Sequence, residues 1–163
     1  MNQILLYNNV INTLTLLNNY LSLNMMDPAL FENIYSQGIQ IIDSFQLKEV
    51  LTNDVFAIHI LAAQGYLIHQ NKENAIDALE RYINTVCSIQ FPLIFKGNEY
   101  FTHVGKWLED NNFIGISTPL DEITIKKDFV NAVVENPAFE PLKEDERYNL
   151  LVKKLKEKLG EKK

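Results

Sequence analysis

The sequence predicts an all-α fold built from antiparallel helical hairpins. Three observations carry that expectation. Apolar residues recur three and four positions apart through most of the chain. Helix-starting and helix-stopping residues punctuate these runs, at Asp27-Pro28, Asn71, Asn136-Pro137 and Gly160. The one β-like run, residues 91–95, contains Pro92, whose missing N–H would break a ladder. With 163 residues the chain reads as a single domain, 1–163. Apolar residues make up 47% against 22% charged, so a core can form without metal or disulfide support. Cys87 is the only cysteine, which excludes an internal bridge.

About seven helices are expected. The first covers residues 2–23, where Ile4, Tyr7, Ile11 and Leu14 form one stripe and Val10, Leu14, Leu17 and Leu21 another. The second opens at Asp27-Pro28, because Asp accepts from free amides and Pro loses nothing at the first helical position. Gly38 lies inside it and is expected to weaken it or admit a neighbouring backbone. The third runs from Asn53 or Asp54 to Gln70 along Phe56, Ile60, Ala63 and Leu67. The fourth follows one tight turn and spans residues 71–89 until Pro92 forbids continuation. A fifth is expected over residues 98–110, ended by Asn111-Asn112 and Gly115. A sixth runs from about Pro119 to Val134. The seventh runs from Lys143 or Glu144 to Leu159, with acidic residues in its first turn and lysines in its last, matching the helix dipole at both ends.

Charge is unevenly distributed. The net charge is −6, yet residues 1–26 carry no Asp, Glu, Lys or Arg. Residues 143–163 hold eight basic and five acidic side chains. An acidic chain is poorly suited to wide nucleic-acid contact, which requires a basic surface to release counterions. The C-terminal lysines read as a solvated helix face. The uncharged N-terminus lacks the basic start and unbroken apolar run of a signal peptide, and its asparagines argue against a membrane span. The expectation is a cytoplasmic protein.

Residues 55–89 carry a repeat-like spacing: Ala63, Tyr66 three later, Ala75 nine later and Leu79 four after that. Small residues at Ala63 and Ala75 let two antiparallel helices approach, and Tyr66 and Leu79 fill the space beside them. This spacing resembles a tetratricopeptide (TPR) unit. Two positions depart from it. Gln70-Asn71 stands in the turn where glycine or aspartate is usual, and Tyr82 stands where a second small residue is usual. The stretch from Asn136 through Pro137, Phe139, Asp145, Arg147 and Tyr148 to Leu151 resembles the capping segment that closes a TPR array. Taken with the segment around Phe95, Tyr100, Phe101 and Trp107, the chain is similar to the C-terminal domain of bacterial helix-turn-helix transcriptional regulators of the Xre (Cro/C1-type) family. That resemblance implies a TPR-like right-handed superhelix, and a sensor or dimerisation domain that binds protein or peptide and forms a homodimer. The DNA-binding domain of such regulators is expected to be absent from this chain, whose first helix has no basic face.

No chemical constellation is evident. His59, His69 and His103 do not form a ligand spacing, Cys87 sits among apolar neighbours, and the six glycines are scattered rather than gathered in a phosphate loop. The expectations are therefore no enzymatic activity, no metal and no cofactor. Two features rise above this background. One is the aromatic insert with Phe91, Phe95, Tyr100, Phe101, Trp107 and Phe113, of which the first five are the expected partner or ligand surface. The other is the uncharged first helix, with Ile4, Tyr7, Ile11, Leu14, Leu17 and Leu21 as the expected self-association residues. A stand-alone helical adaptor is the alternative reading, and a small helical enzyme the weakest.

Overall fold

The computed structural model describes residues 2–50, 53–111 and 120–160. Among them the chain is all-α: α1 (Gln3–Leu23), α2 (Pro28–Ser44), α3 (Asn53–Ile68), α4 (Lys72–Cys87), α5 (Val104–Asn111), α6 (Glu122–Val134) and α7 (Glu146–Leu159). Short 3-10 turns lie at Leu47–Glu49 and Pro137–Leu142. Residues 91–95 form no strand.

The starts of α1, α2, α4, α6 and α7 each follow from one capping side chain. Asn2, Asp27, Asn71, Asp121 and Asp145 each accept a hydrogen bond from a backbone N–H in the first turn of α1, α2, α4, α6 and α7 respectively. For α7 this sets the start at Glu146, later than Lys143 or Glu144, because residues 137–142 wind as a 3-10 turn and Asp145 donates its N–H back to Leu142. The expected start of α6 near Pro119 lies outside the described residues, and its first described turn begins at Glu122.

The expected fifth helix is shorter than its apolar pattern implied. Residues 98–103 do not join it, because the Asn98 side chain takes over the local amides. Its Oδ1 accepts from the N–H of Tyr100 and Phe101 at 3.0 and 3.1 Å. Its Nδ2 donates to the carbonyls of Phe45 and Gln46 at 2.7 and 3.0 Å, at the end of α2. A local side-chain bond of this kind competes with helix formation. Helix α5 therefore begins only at Val104. Gly115, its expected terminator, lies outside the described residues.

Helix α3 is the centre of the molecule. It packs against α1, α2 and α4, while α7 packs on the far side of α4 and α6 on α7. Being surrounded, α3 is apolar on nearly every side, with Val55, Phe56, Ile58, Ala62, Ala63 and Tyr66 all buried. The α3–α4 pair is the most extensive contact. Ala62, Ala63, Ala75 and Ala78 are all buried, and Leu79 and Tyr82 fill the space beside them. The turn between them closes with Gln70 in the left-handed region at φ 58. Asn71 N–H then reaches the Tyr66 carbonyl at 2.8 Å and Gln70 N–H that of Leu67 at 3.0 Å, satisfying two end-of-helix carbonyls.

Gly38 does not interrupt α2, and the atoms nearest to it are side-chain atoms of Ile58 and Leu14. A Cβ there would collide with the Ile58 side chain of α3. The absent side chain lets α2 lie close against the central helix.

Candidate functional site

The outer face of α1 is the most unusual surface of the fold. The inner face turns Val10, Leu14, Asn18 and Leu21 into the molecule. Leaving that face outward are Leu5, Leu16, Tyr20 and Leu23, which expose 58, 68, 48 and 83% of their surface, with Met26 in the following turn at 79%. Asn9 and Asn12 are exposed between them. Steps of three and four residues along positions 5, 9, 12, 16, 20 and 23 keep these side chains on one side of the helix. A solvated helix face normally carries lysine or glutamate, whereas this one has no charged residue.

The residues expected to mediate self-association lie mostly on the other side. Leu14 and Leu21 are wholly buried within the chain and cannot meet a second one. Ile4, Tyr7, Ile11 and Leu17 are half-buried and packed against the core. Tyr7 sets its ring edge against Phe101 at 5.5 Å, and burial pushes its hydroxyl pKa up. Residues 3–23 are helical, as the periodicity predicts, but the exposed apolar stripe is a different set of residues.

The aromatic insert divides in the same way. Phe101 is fully buried, stacked on Phe45 at 6.0 Å, and belongs to the core rather than to a binding surface. Tyr100 is 41% exposed and meets the edge of Phe45. Phe91 faces another way, with the Lys126 ammonium 4.5 Å from its ring centre. Phe95 and Trp107 are half-buried. Phe113 lies outside the described residues. The five aromatics are thus distributed between core and surface, and Phe91 meets Lys126 while Tyr100 and Phe101 meet Phe45.

Two polar features inside the fold escaped the sequence reading. The first ties α1 to the start of α3. Asn18 Nδ2 donates to the Asp54 backbone carbonyl at 3.0 Å and to its carboxylate at 3.1 Å, and Thr15 donates to the other carboxylate oxygen at 2.9 Å. The available signal was Asn18 itself, four residues after Leu14 and three before Leu21 on the buried stripe. The second is His59, 1% exposed on α3. Its Nδ1 lies 3.2 Å from the Tyr35 hydroxyl, and its Nε2 is buried without a partner. Burial pushes the His59 pKa down to about 4, with Lys48 and Arg81 acting in the same direction and Asp43 opposing. Burial likewise raises Tyr35 to about 12.

His69 donates from Nε2 to the Met25 carbonyl at 2.7 Å, anchoring the α1–α2 turn to the end of α3. His103 is exposed. Cys87 is half-buried and free, and burial raises its thiol pKa against the opposing pull of Lys154 and Lys158, which leaves it a weak nucleophile. Among the described residues no three His, Cys, Asp or Glu side chains gather where they could hold a metal ion. Among the same residues no helix is long and apolar enough to cross a membrane. In comparisons with protein families, with curated proteins and with solved structures, nothing matches this chain.

Proposed function

We propose that this chain is a non-enzymatic protein-interaction domain that self-associates through the outer face of α1. The observation that carries the proposal is the exposed, charge-free stripe of Leu5, Leu16, Tyr20 and Leu23, continued by Met26. A two-fold interface brings the same patch of both subunits together, so any charge near the axis would face its own copy. The chain carries a net charge of −6, and most of its surface would repel a second copy. The α1 face has nothing to repel with, and it has large apolar side chains to bury. Each leucine moved from water to an interface contributes about 1.5–3 kcal/mol before the costs of association. At 21 residues α1 is about 30 Å long, enough to align several such side chains in one contact.

The spacing of Ala63, Tyr66, Ala75 and Leu79, with its resemblance to a TPR unit, supports a helical-repeat scaffold of the kind used to bind proteins and peptides. The wider resemblance supports a place for it as the sensor and dimerisation domain of an Xre-type transcriptional regulator. A ligand that favoured one arrangement of the dimer would then shift its population.

Single-cysteine crosslinking tests the location of the interface. In a Cys87→Ser background, one cysteine is introduced at a time at Leu5, Asn12, Leu16, Tyr20 or Leu23, with Ser36 and Gln40 on the exposed side of α2 as controls. Mild oxidation is expected to give covalent dimers from one or more α1 positions and none from α2. Crosslinking from α2 alone, or from no α1 position, would contradict the proposal.

A further inference from the structure

A second surface differs from the rest of the molecule in the opposite sense. Helices α6 and α7 enclose a groove of about 630 Å³. Its apolar lining comes from Ile123, Val130 and Leu159, and its edges carry Lys126, Lys127 and Lys158. Ile123 is a large apolar side chain left 66% exposed at the lip. Lys126 is engaged by Glu122 and lies over Phe91. Lys127 and Lys158 have no carboxylate within ion-pair distance among the described residues. Among the described residues the one carboxylate lining the groove is Glu157, whose carboxylate lies 3.9 Å from the Lys153 ammonium. In a chain of net charge −6, an apolar groove edged by two ammonium groups that pair with no carboxylate among the described residues is a local reversal of sign.

We infer that the α6–α7 groove is a docking site for an acidic, partly apolar peptide segment of a partner protein, whose carboxylates meet Lys127 and Lys158 and whose apolar side chains enter between Ile123 and Val130. Complementary charge selects the partner and speeds its encounter, and the apolar contact holds it. A nucleic-acid strand fits less well. It would use the lysines but leave Ile123 uncovered, and the acidic remainder of the chain would repel its backbone. This surface is separate from the α1 face and does not depend on self-association.

The test is selection from a phage-displayed library of random dodecapeptides on the intact chain, followed by fluorescence anisotropy with a labelled synthetic copy of a recovered peptide. Recovered sequences are expected to combine Asp or Glu with Leu, Ile or Phe. Binding is expected to weaken at least tenfold in the Lys127→Glu/Lys158→Glu variant and also in Ile123→Asp. All three positions are exposed, and unchanged far-UV circular dichroism would verify that the variants fold. Recovery of no peptide, recovery without acidic bias, or binding indifferent to the lysine reversal would overturn the inference. So would a 20-nucleotide single strand that displaces the peptide and binds Ile123→Asp as well as it binds the parent chain.

Discussion

His59 shows how much one residue depends on its surroundings. On an exposed helix it would titrate near 6.5. On α3 it is enclosed, and its folded-state pKa falls to about 4. The unfolded chain therefore takes up a proton at a pH where the folded chain cannot. Stability conferred by the neutral ring is complete above about 6.5 and is lost as the pH falls towards 4. The loss amounts to about 3 kcal/mol over that window. Urea denaturation at pH 7 and pH 4.5 measures it. The parent chain is expected to lose stability more steeply than His59→Gln between those values, and equal losses would show that His59 is not the responsible group. Neither this residue nor the Asn18–Asp54 contact was legible beforehand. Their partners stand 24 and 36 positions away in the chain, and only folding brings them within hydrogen-bond reach.

At the scale of elements, legibility followed the range of the interaction that fixes each boundary. Asp27 and Asn71 each accept from an amide three residues ahead, so the starts of α2 and α4 could be read locally, whereas the 3-10 turn at Pro137–Leu142 moves the start of α7 past Lys143 and Glu144 to Glu146. Asn98 sits before an apolar-periodic run in the same way, yet its side chain also serves the carbonyls of Phe45 and Gln46 just beyond α2, and the run from 98 to 103 stays out of α5. Periodicity alone could not say which side of α1 faces inward. Apolar and asparagine residues occur all around that helix with no charged residue to mark the solvent side, and the structure turns Leu14 and Leu21 of the expected self-association set into the core. The buried stripe admits Asn18 while Leu16 stays outside. The hairpin of α3 and α4 was visible because alanines at close-packing positions leave a pattern, but its strained turn was not. Gln70 holds φ 58, where a Cβ costs about 1–2 kcal/mol and glycine costs nothing. Gln70→Gly is expected to raise stability by about 0.5–1 kcal/mol in thermal or urea unfolding. A loss of stability would mean that the glutamine makes a contribution beyond its backbone.

Over the whole molecule, charge is partitioned into regions with distinct physical consequences. Most of the chain carries a negative excess that keeps copies apart. The α6–α7 groove presents lysines around an apolar lining. The α1 face presents leucines, a tyrosine and asparagines with no charge. The inner side of α1 is already spent on the core through Leu14 and Leu21, so the unsatisfied apolar surface is the outer one. That distinction turns self-association into a claim about particular side chains. Light scattering on the intact chain, coupled to size-exclusion chromatography over a hundredfold range of concentration, measures it. The mass is expected to rise to twice the 18.8 kDa of one chain and to return to that of one chain in Leu16→Glu, which places like charges across the two-fold axis. A parent chain that remains at 18.8 kDa at the highest concentration, or a Leu16→Glu variant as dimeric as the parent, would contradict the account.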